Sequence, residues 1–297
     1  MTDRITNAML TRTVLADLAG VADRLARTNA KLSSGKELTR PSDDPFAVSR
    51  ALAYHGDLDA NRQYQRNVEE ASSWQTVTDT ALASVGDLTL RVRELVLQGG
   101  TGTVDASGRK AIATEVGQLI EAVKSAGNTQ YADRYVFSGS LTLTAPYTPN
   151  GADTYFGDTA ALKREIGPGV QLDLNVDGSS VIGGGASGLL KTLRDVESHL
   201  LAGDTNSLQS GDLAALDTAQ DAIGNARAVV GARAGRLDAA QERLSQLEEQ
   251  TVRLLSETED ADIAKTLVDL STQQAVYQSA LKASAAIIQP SLLDFLR

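Results

Sequence analysis

Val14, Leu18, Val21, Leu25, Thr28 and Leu32 near one end of this 297-residue chain recur at alternating steps of four and three, and so do Ile263, Leu267, Leu270, Gln274, Tyr277, Leu281, Ser284 and Ile288 near the other. That spacing lays one narrow apolar seam along a helix, and such a seam has to be buried against a partner helix. Neither terminal segment carries a core of its own. The partner is the other end of the same chain, the same segment of a neighbouring copy, or both. Val14, Leu18, Val21, Leu25, Leu32, Ile263, Leu267, Leu270, Tyr277, Leu281 and Ile288 are therefore the candidate assembly seam.

Working outward, the six prolines (Pro41, Pro45, Pro146, Pro149, Pro168 and Pro290) leave two long stretches, 46–145 and 169–289, free of proline. A proline inside a helix costs about 3 kcal/mol, so these stretches are where long helices fit. Pro41-Ser42-Asp43-Asp44-Pro45 reads as a stop followed by a start: Pro41 ends one helix, an Asp or Ser side chain caps the next, and Pro45 suits its first turn. The spacing predicts a helix from there to about Gln98, with Thr78, Leu82, Val85, Thr89, Val92 and Val96 as its stripe. At the helical rise that is on the order of 80 Å. Gly99, Gly100 and Gly102 break it, and a further helix carries Ile112, Val116, Leu119 and Val123 as far as Gly127-Asn128.

From Tyr135 the period changes. Tyr135-Val136-Phe137 before Ser138-Gly139 reads as a strand and a turn, and 141–185 holds three prolines, eight of the 25 glycines and the alternating Val170, Leu172, Leu174 and Val176. Helical spacing returns at Leu189, pauses at Gly203-Asp204 and resumes near Leu213, with Leu237, Ala240, Leu244, Leu247, Thr251 and Leu254 as another seam. The acidic run Glu257-Thr258-Glu259-Asp260-Ala261-Asp262 then suits a helix N-terminus. The expected fold is mainly α, a long antiparallel helical bundle or coiled coil built from the N- and C-terminal halves, with a small β-rich inserted domain at the tip. The expected division is 1–40 with 258–297 as a terminal coiled coil, 41–140 with 186–257 as a helical rod, and 141–185 as the insert. Because the insert carries none of the seams, its removal is expected to leave the helical body folded.

Composition removes several function classes. A net charge of −10 argues against a nucleic-acid partner, which needs clustered positive charge. No apolar run reaches the ~18–20 residues that span a bilayer, so no membrane partner is expected. Met1–Leu10 has no apolar signal core, so a route out of the cell, if the chain takes one, is expected to need no cleaved signal. The absence of cysteine excludes disulfides and thiolate metal sites. Residues 1–40 carry seven Lys or Arg against four Asp or Glu, whereas 241–297 carry five against nine. Opposite signs favour pairing of the two ends, although exposed ion pairs contribute only ~0.2–1 kcal/mol each.

Several chemical readings are weaker than structural ones. Gly183, Gly185 and Gly188 match a dinucleotide-binding G-x-G-x-x-G, but a helix and not a βαβ unit follows, and a glycine hinge explains them better. Asp43 and Asp44 suit helix capping more than metal binding or acid–base work. His55 and His199 show no ligand or triad spacing, and Trp74 suits packing. No catalytic, cofactor-binding or metal site is expected, and no enzyme.

The residues Leu32-Ser33-Ser34-Gly35-Lys36 running into Arg40-Pro41-Ser42-Asp43-Asp44-Pro45 resemble the flagellin superfamily of bacterial axial proteins. So do Gln63-Tyr64-Gln65-Arg66-Asn67, Tyr135-Val136-Phe137-Ser138-Gly139, Val230-Gly231-Ala232-Arg233 with Arg236-Leu237, and the end Ile288-Gln289-Pro290-Ser291-Leu292-Leu293-Asp294-Phe295-Leu296. The resemblance covers about 1–140 and 189–297. The Pro-Ser-Asp-Asp-Pro form looks like the hook–filament junction branch, while the final Leu296-Arg297 is also seen in filament flagellins. It implies a secreted, non-enzymatic subunit of the bacterial flagellum, exported through the type III apparatus with a chaperone on its C-terminal region. It implies a ring of copies between hook-associated protein 1 and flagellin, with the terminal helices innermost. The alternative is a small flagellin that forms the filament itself.

Overall fold

Pro41, Gly100, Gly102, Pro146, Pro149, Pro168 and Gly183–Gly185 fall between helices, while single glycines such as Gly20, Gly86 and Gly224 are accommodated inside them. The computed structural model describes residues 7–288, with side-chain surroundings for residue 9 and residues 11–285. The side chain of Ile288 and the terminal motif 289–296 lie outside the described residues. In chain order the helices are α1 (Asn7–Ser34), α2 (Pro45–Gly99), α3 (Ala106–Gly127), α4 (Gly178–Val181), α5 (Gly188–Ala202), α6 (Thr205–Ser207), α7 (Leu213–Glu259) and α8 (Ile263–Ile288). A π-turn, Leu208–Asp212, leads into α7. The strands form two antiparallel hairpins: β1 (Gln130–Tyr131) with β2 (Arg134–Tyr135), and β3 (Lys163–Gly167) with β4 (Val170–Asp173).

Two compact units result, one of Met1–Ala60 with Leu247–Arg297 and the other of Asn61–Gln246. In the first, α1 and α8 pair. They run antiparallel, because Gly35 meets Ala261 while Thr28 meets Gln273. α1 stops at Gly35, whose φ of +68° is a left-handed conformation that favours glycine. α2 starts at Pro45, and the Asp44 carboxylate accepts the Phe46 and Ala47 N–H groups at 3.0 Å each.

In the second unit, Thr78, Leu82, Val85, Thr89, Val92 and Val96 of α2 are all buried, and the two threonine hydroxyls return to the carbonyls of Trp74 and Val85. Against this cluster lie Ile112, Val116, Ile120 and Val123 of α3, and Leu189, Leu193, Val196 and Leu200 of α5. α7 adds Leu216, Ile223, Val230, Leu237 and Leu244 at strict heptad steps. Its expected seam is only partly covered: Ala240 and Thr251 are buried, but Leu247 is 44% and Leu254 36% exposed.

The first hairpin turns through Ala132 and Asp133, both at positive φ, the geometry of a two-residue primed turn. Strand therefore ends at Tyr135, and the expected strand residues Val136 and Phe137 are instead buried irregular chain. Within 141–185 the hairpin β3–β4 is the regular β structure among the described residues. Its Ile166 and Leu172, with Leu174 and Val176 beyond it, belong to the same apolar cluster as α2, α3 and α5. Asn67 Nδ2 donates to the Glu165 carbonyl (2.8 Å), Gln75 Nε2 to that of Leu174 (2.7 Å), and Arg233 to that of Asn175 (2.9 Å). Removal of 141–185 is thus expected to expose this core and lower the melting temperature of the helical body, contrary to the expectation from seam positions. Circular dichroism of the deletion chain checks it.

The same segment is held by charge. The Lys124 side chain is fully buried, and its ammonium meets Glu121 Oε1 (2.9 Å), the Gly151 carbonyl (2.9 Å) and Asp153 Oδ1 (3.4 Å). Arg194 Nε reaches Asp153 Oδ2 at 2.6 Å. The Arg194 and Lys124 bonds hold the Asp153 carboxyl below its ordinary range. Burial alone raises Glu121, but Lys124 and the Asn150 N–H outweigh it and leave it low as well. Both charged forms therefore stabilise the fold above the ordinary carboxylate pKa of about 4, and that contribution falls away as pH drops through the lowered folded values. Lys124→Ala is expected to cost about 2–5 kcal/mol, because it empties a fully buried site and strips the ammonium from Glu121 and the Gly151 carbonyl, while Asp153 keeps Arg194. Asp153→Asn is expected to flatten the decline of stability in acid, and pH-dependent urea unfolding measures both.

Candidate assembly surface

The α1–α8 pair buries few apolar side chains and leaves many exposed. On α1, Val21 and Thr28 are buried, with Val14, Leu18, Leu25 and Leu32 half-buried on the same face. On α8 the covered positions are Thr266, which is buried, and Leu270, Gln273, Tyr277, Ala280 and Ser284, which are half-buried. These also step by four and three. The Thr28 hydroxyl lies 3.0 Å from Gln273 Oε1 and 3.1 Å from the Arg24 carbonyl, a polar contact between the helices.

The structure thus distributes the sequence-predicted seam of α8 over two faces. Leu270 and Tyr277 turn toward α1, whereas Ile263 (45%), Leu267 (50%) and Leu281 (43%) stay exposed. Val268 and Val276 are exposed too, as is Leu15 on α1. Covered positions that the apolar pattern missed are Thr266, Gln273 and Ala280. Their signal was heptad position, not hydrophobicity. A helix that covers threonine, glutamine and alanine while leaving leucine in water is the reverse of a finished core.

Where α7 gives way to α8, the chain is stitched to the loop between α1 and α2. Ala261 N–H donates to the Gly35 carbonyl (2.9 Å) and Glu37 N–H to that of Glu259 (2.7 Å). Lys36 Nζ meets Asp260 Oδ1 at 2.7 Å and Glu259 Oε2 at 3.5 Å, and His55 Nε2 lies 3.2 Å from Glu259. The Lys36 hydrogen bond, with that of Ser256, holds the Asp260 carboxyl low. The acidic run therefore does two jobs. Asp262 accepts the Lys265 N–H and opens α8, whereas Glu257 and Glu259 fall in the last turn of α7, where the dipole disfavours a carboxylate and Lys36 offsets it at Glu259.

The helix-start motif lies on this loop. Asp44 caps α2, and Asp43 accepts the Arg40 N–H (2.9 Å) and the Thr39 hydroxyl (3.1 Å), with Pro41 and Ser42 exposed between them. Among the described residues no group of three or more His, Cys, Asp or Glu side chains is placed to hold a metal, and no helix is long and apolar enough to cross a membrane. His199 pairs with Asp212 at 2.8 Å, and Trp74 packs edge-on to Tyr131. Gly183 and Gly188, both at positive φ, touch backbone to backbone, so a side chain at Gly183 would lie 2.7 Å from the Gly188 Cα. Close approach of two loop strands accounts for that glycine pair.

Two family models match: the bacterial flagellin N-terminal helical region over residues 5–142 and the bacterial flagellin C-terminal helical region over 213–296. The chain is 25% identical over 270 residues to flagellin FlaB1 of Treponema pallidum, covering 90% of each. It is 27% identical over 137 residues to flagellar hook-associated protein 3 of Escherichia coli, covering 46% of this chain and 43% of that one. In fold it is similar to hook-associated protein 3 of Legionella pneumophila, with a TM-score of 0.62, 16% identity, and coverage of 69% of this chain and 98% of that one.

The two faces of α8 make separable predictions. Leu270→Asp puts a carboxylate against α1 and is expected to weaken the pairing by about 1–3 kcal/mol. Leu267→Asp is expected to leave it intact. Hydrogen exchange of the α1 amides in the free chain distinguishes the two.

Proposed function

This chain belongs to the flagellin family, as its two matched helical arms establish, and from that premise we propose that it is the adaptor joining hook to filament. The family makes it a structural component of the bacterial flagellum that contacts other axial components, and not an enzyme. The observation that carries an assembly role is the exposed row Ile263, Leu267 and Leu281, which a helix of a neighbouring subunit would cover. In this reading copies of the chain associate in a ring through that row. Hook-associated protein 1 lies on the hook side and flagellin on the other. An export chaperone holds the C-terminal region beforehand.

The likeness to hook-associated protein 3 and the Pro41-Ser42-Asp43-Asp44-Pro45 form support the junction position. A second reading, a small flagellin that extends the filament, is favoured by the match to Treponema flagellin along 90% of both chains. A strain lacking the chain separates them. The junction reading expects hooks that persist while flagellin is shed as monomers, and immunogold label on wild-type flagella confined to one band at the hook–filament boundary. Label along the whole filament would establish the flagellin reading instead. Leu267→Asp is expected to be exported yet to fail in complementation, because an unpaired carboxylate in a helix–helix seam costs several kcal/mol.

A further inference from the structure

Beside the buried Lys124 lies the chain's sole Asn-Gly pair, Asn150-Gly151. Thr148-Pro149-Asn150-Gly151 is a turn closed by the Gly151 N–H donating to the Thr148 carbonyl at a long 3.2 Å. Asn150 is exposed with a φ of +53°, and its side-chain amide has no hydrogen-bond partner among the described residues. A Cβ at position 151 would come within 2.8 Å of the Thr148 methyl carbon, so glycine fits here without displacing that side chain. The Gly151 amide nitrogen is therefore next to a free carboxamide and carries no side chain to shield it.

We propose that Asn150-Gly151 is a site of spontaneous covalent modification, at which asparagine becomes a mixture of aspartate and isoaspartate. The Gly151 nitrogen, once deprotonated, attacks the Asn150 side-chain carbonyl carbon. A carbon–nitrogen bond forms, the side-chain nitrogen leaves as ammonia with a proton from solvent, and a cyclic imide remains. Water opens it at either carbonyl: one opening leaves an aspartate, the other routes the main chain through the former side chain. The net change exchanges an amide nitrogen for oxygen at the expense of one water, with no oxidant or enzyme.

The position gives the reaction a structural consequence. The Asn150 N–H is held by Glu121 Oε2 at 2.7 Å, and the Gly151 carbonyl is held by Lys124 at 2.9 Å. An isoaspartyl link inserts one methylene between these two anchors, and the aspartyl product adds a carboxylate near Glu121. Either change loosens the cradle of a fully buried ammonium, so the segment 141–185 ages at the point where it is tied to α3.

The test uses the full folded chain, incubated at mildly alkaline and at mildly acidic pH, with a portion kept in denaturant. Trypsin releases 135–163, in which Asn150 is the only amide side chain, so a mass gain in that fragment reports this residue alone. The expected result is a gain in the folded chain that is faster in alkali, labelling of the fragment by an isoaspartyl methyltransferase, and loss of both in Asn150→Gln. If the fragment stays unchanged in the folded chain while the denatured portion converts, the turn protects the site and the proposal is overturned. Conversion in neither sample, or a mass gain without isoaspartyl label, overturns it equally.

Discussion

The hydrogen bond from Ala261 N–H to the Gly35 carbonyl joins two breaks that lie at opposite ends of the sequence. Each break is costly alone: Gly35 ends a helix in a left-handed conformation, and Asp260–Asp262 interrupts what would otherwise be one helix. Brought together they satisfy each other's backbone groups, which helix ends leave unpaired. The Lys36 ammonium adds charge to the stitch through Asp260 and Glu259. From this point α1 and α8 leave side by side, and the register set there brings Thr28 to Gln273 farther along.

That register decides what α8 shows to its surroundings. With Leu270 and Tyr277 turned toward α1, Ile263, Leu267 and Leu281 are left outside. A stronger internal seam would have consumed those side chains and left a self-sufficient pair. The pairing covers small and polar residues instead, which is adequate to align two helices and insufficient to finish a core. Pairing with α1 thus rests on residues of α8 other than the exposed ones, to which the proposed function assigns assembly.

Much of this architecture was legible in the sequence, for identifiable reasons. Aliphatic side chains at heptad steps announced the terminal helices and the stripe of α2, and Asp44-Pro45 announced the start of that helix. Which face of α8 turns inward was not legible, because Thr266, Gln273 and Ala280 carry no apolar signal and only their position marks them. The first hairpin was missed because its turn is Ala132-Asp133 and not an Asn-Gly type. The charge pattern makes the acidic run a single helix start, whereas only Asp262 caps α8 and Glu257 and Glu259 end α7. The bond between 141–185 and the helices was invisible as well. Lys124 looks like an ordinary surface lysine on a helix until Gly151 and Asp153 are folded over it.

Pairing of the chain's own two ends is the central claim, and the natural absence of cysteine makes it directly measurable. Thr28→Cys combined with Gln273→Cys places one thiol on each helix at the point where they touch. A short cleavable bis-thiol crosslinker, which spans the length lost with the glutamine side chain, is predicted to close a loop within single chains of the dilute free protein, seen as faster migration on a denaturing gel and reversed on cleavage. Failure to close, or closure only between two chains, would contradict the internal α1–α8 pair and the outward seam that depends on it.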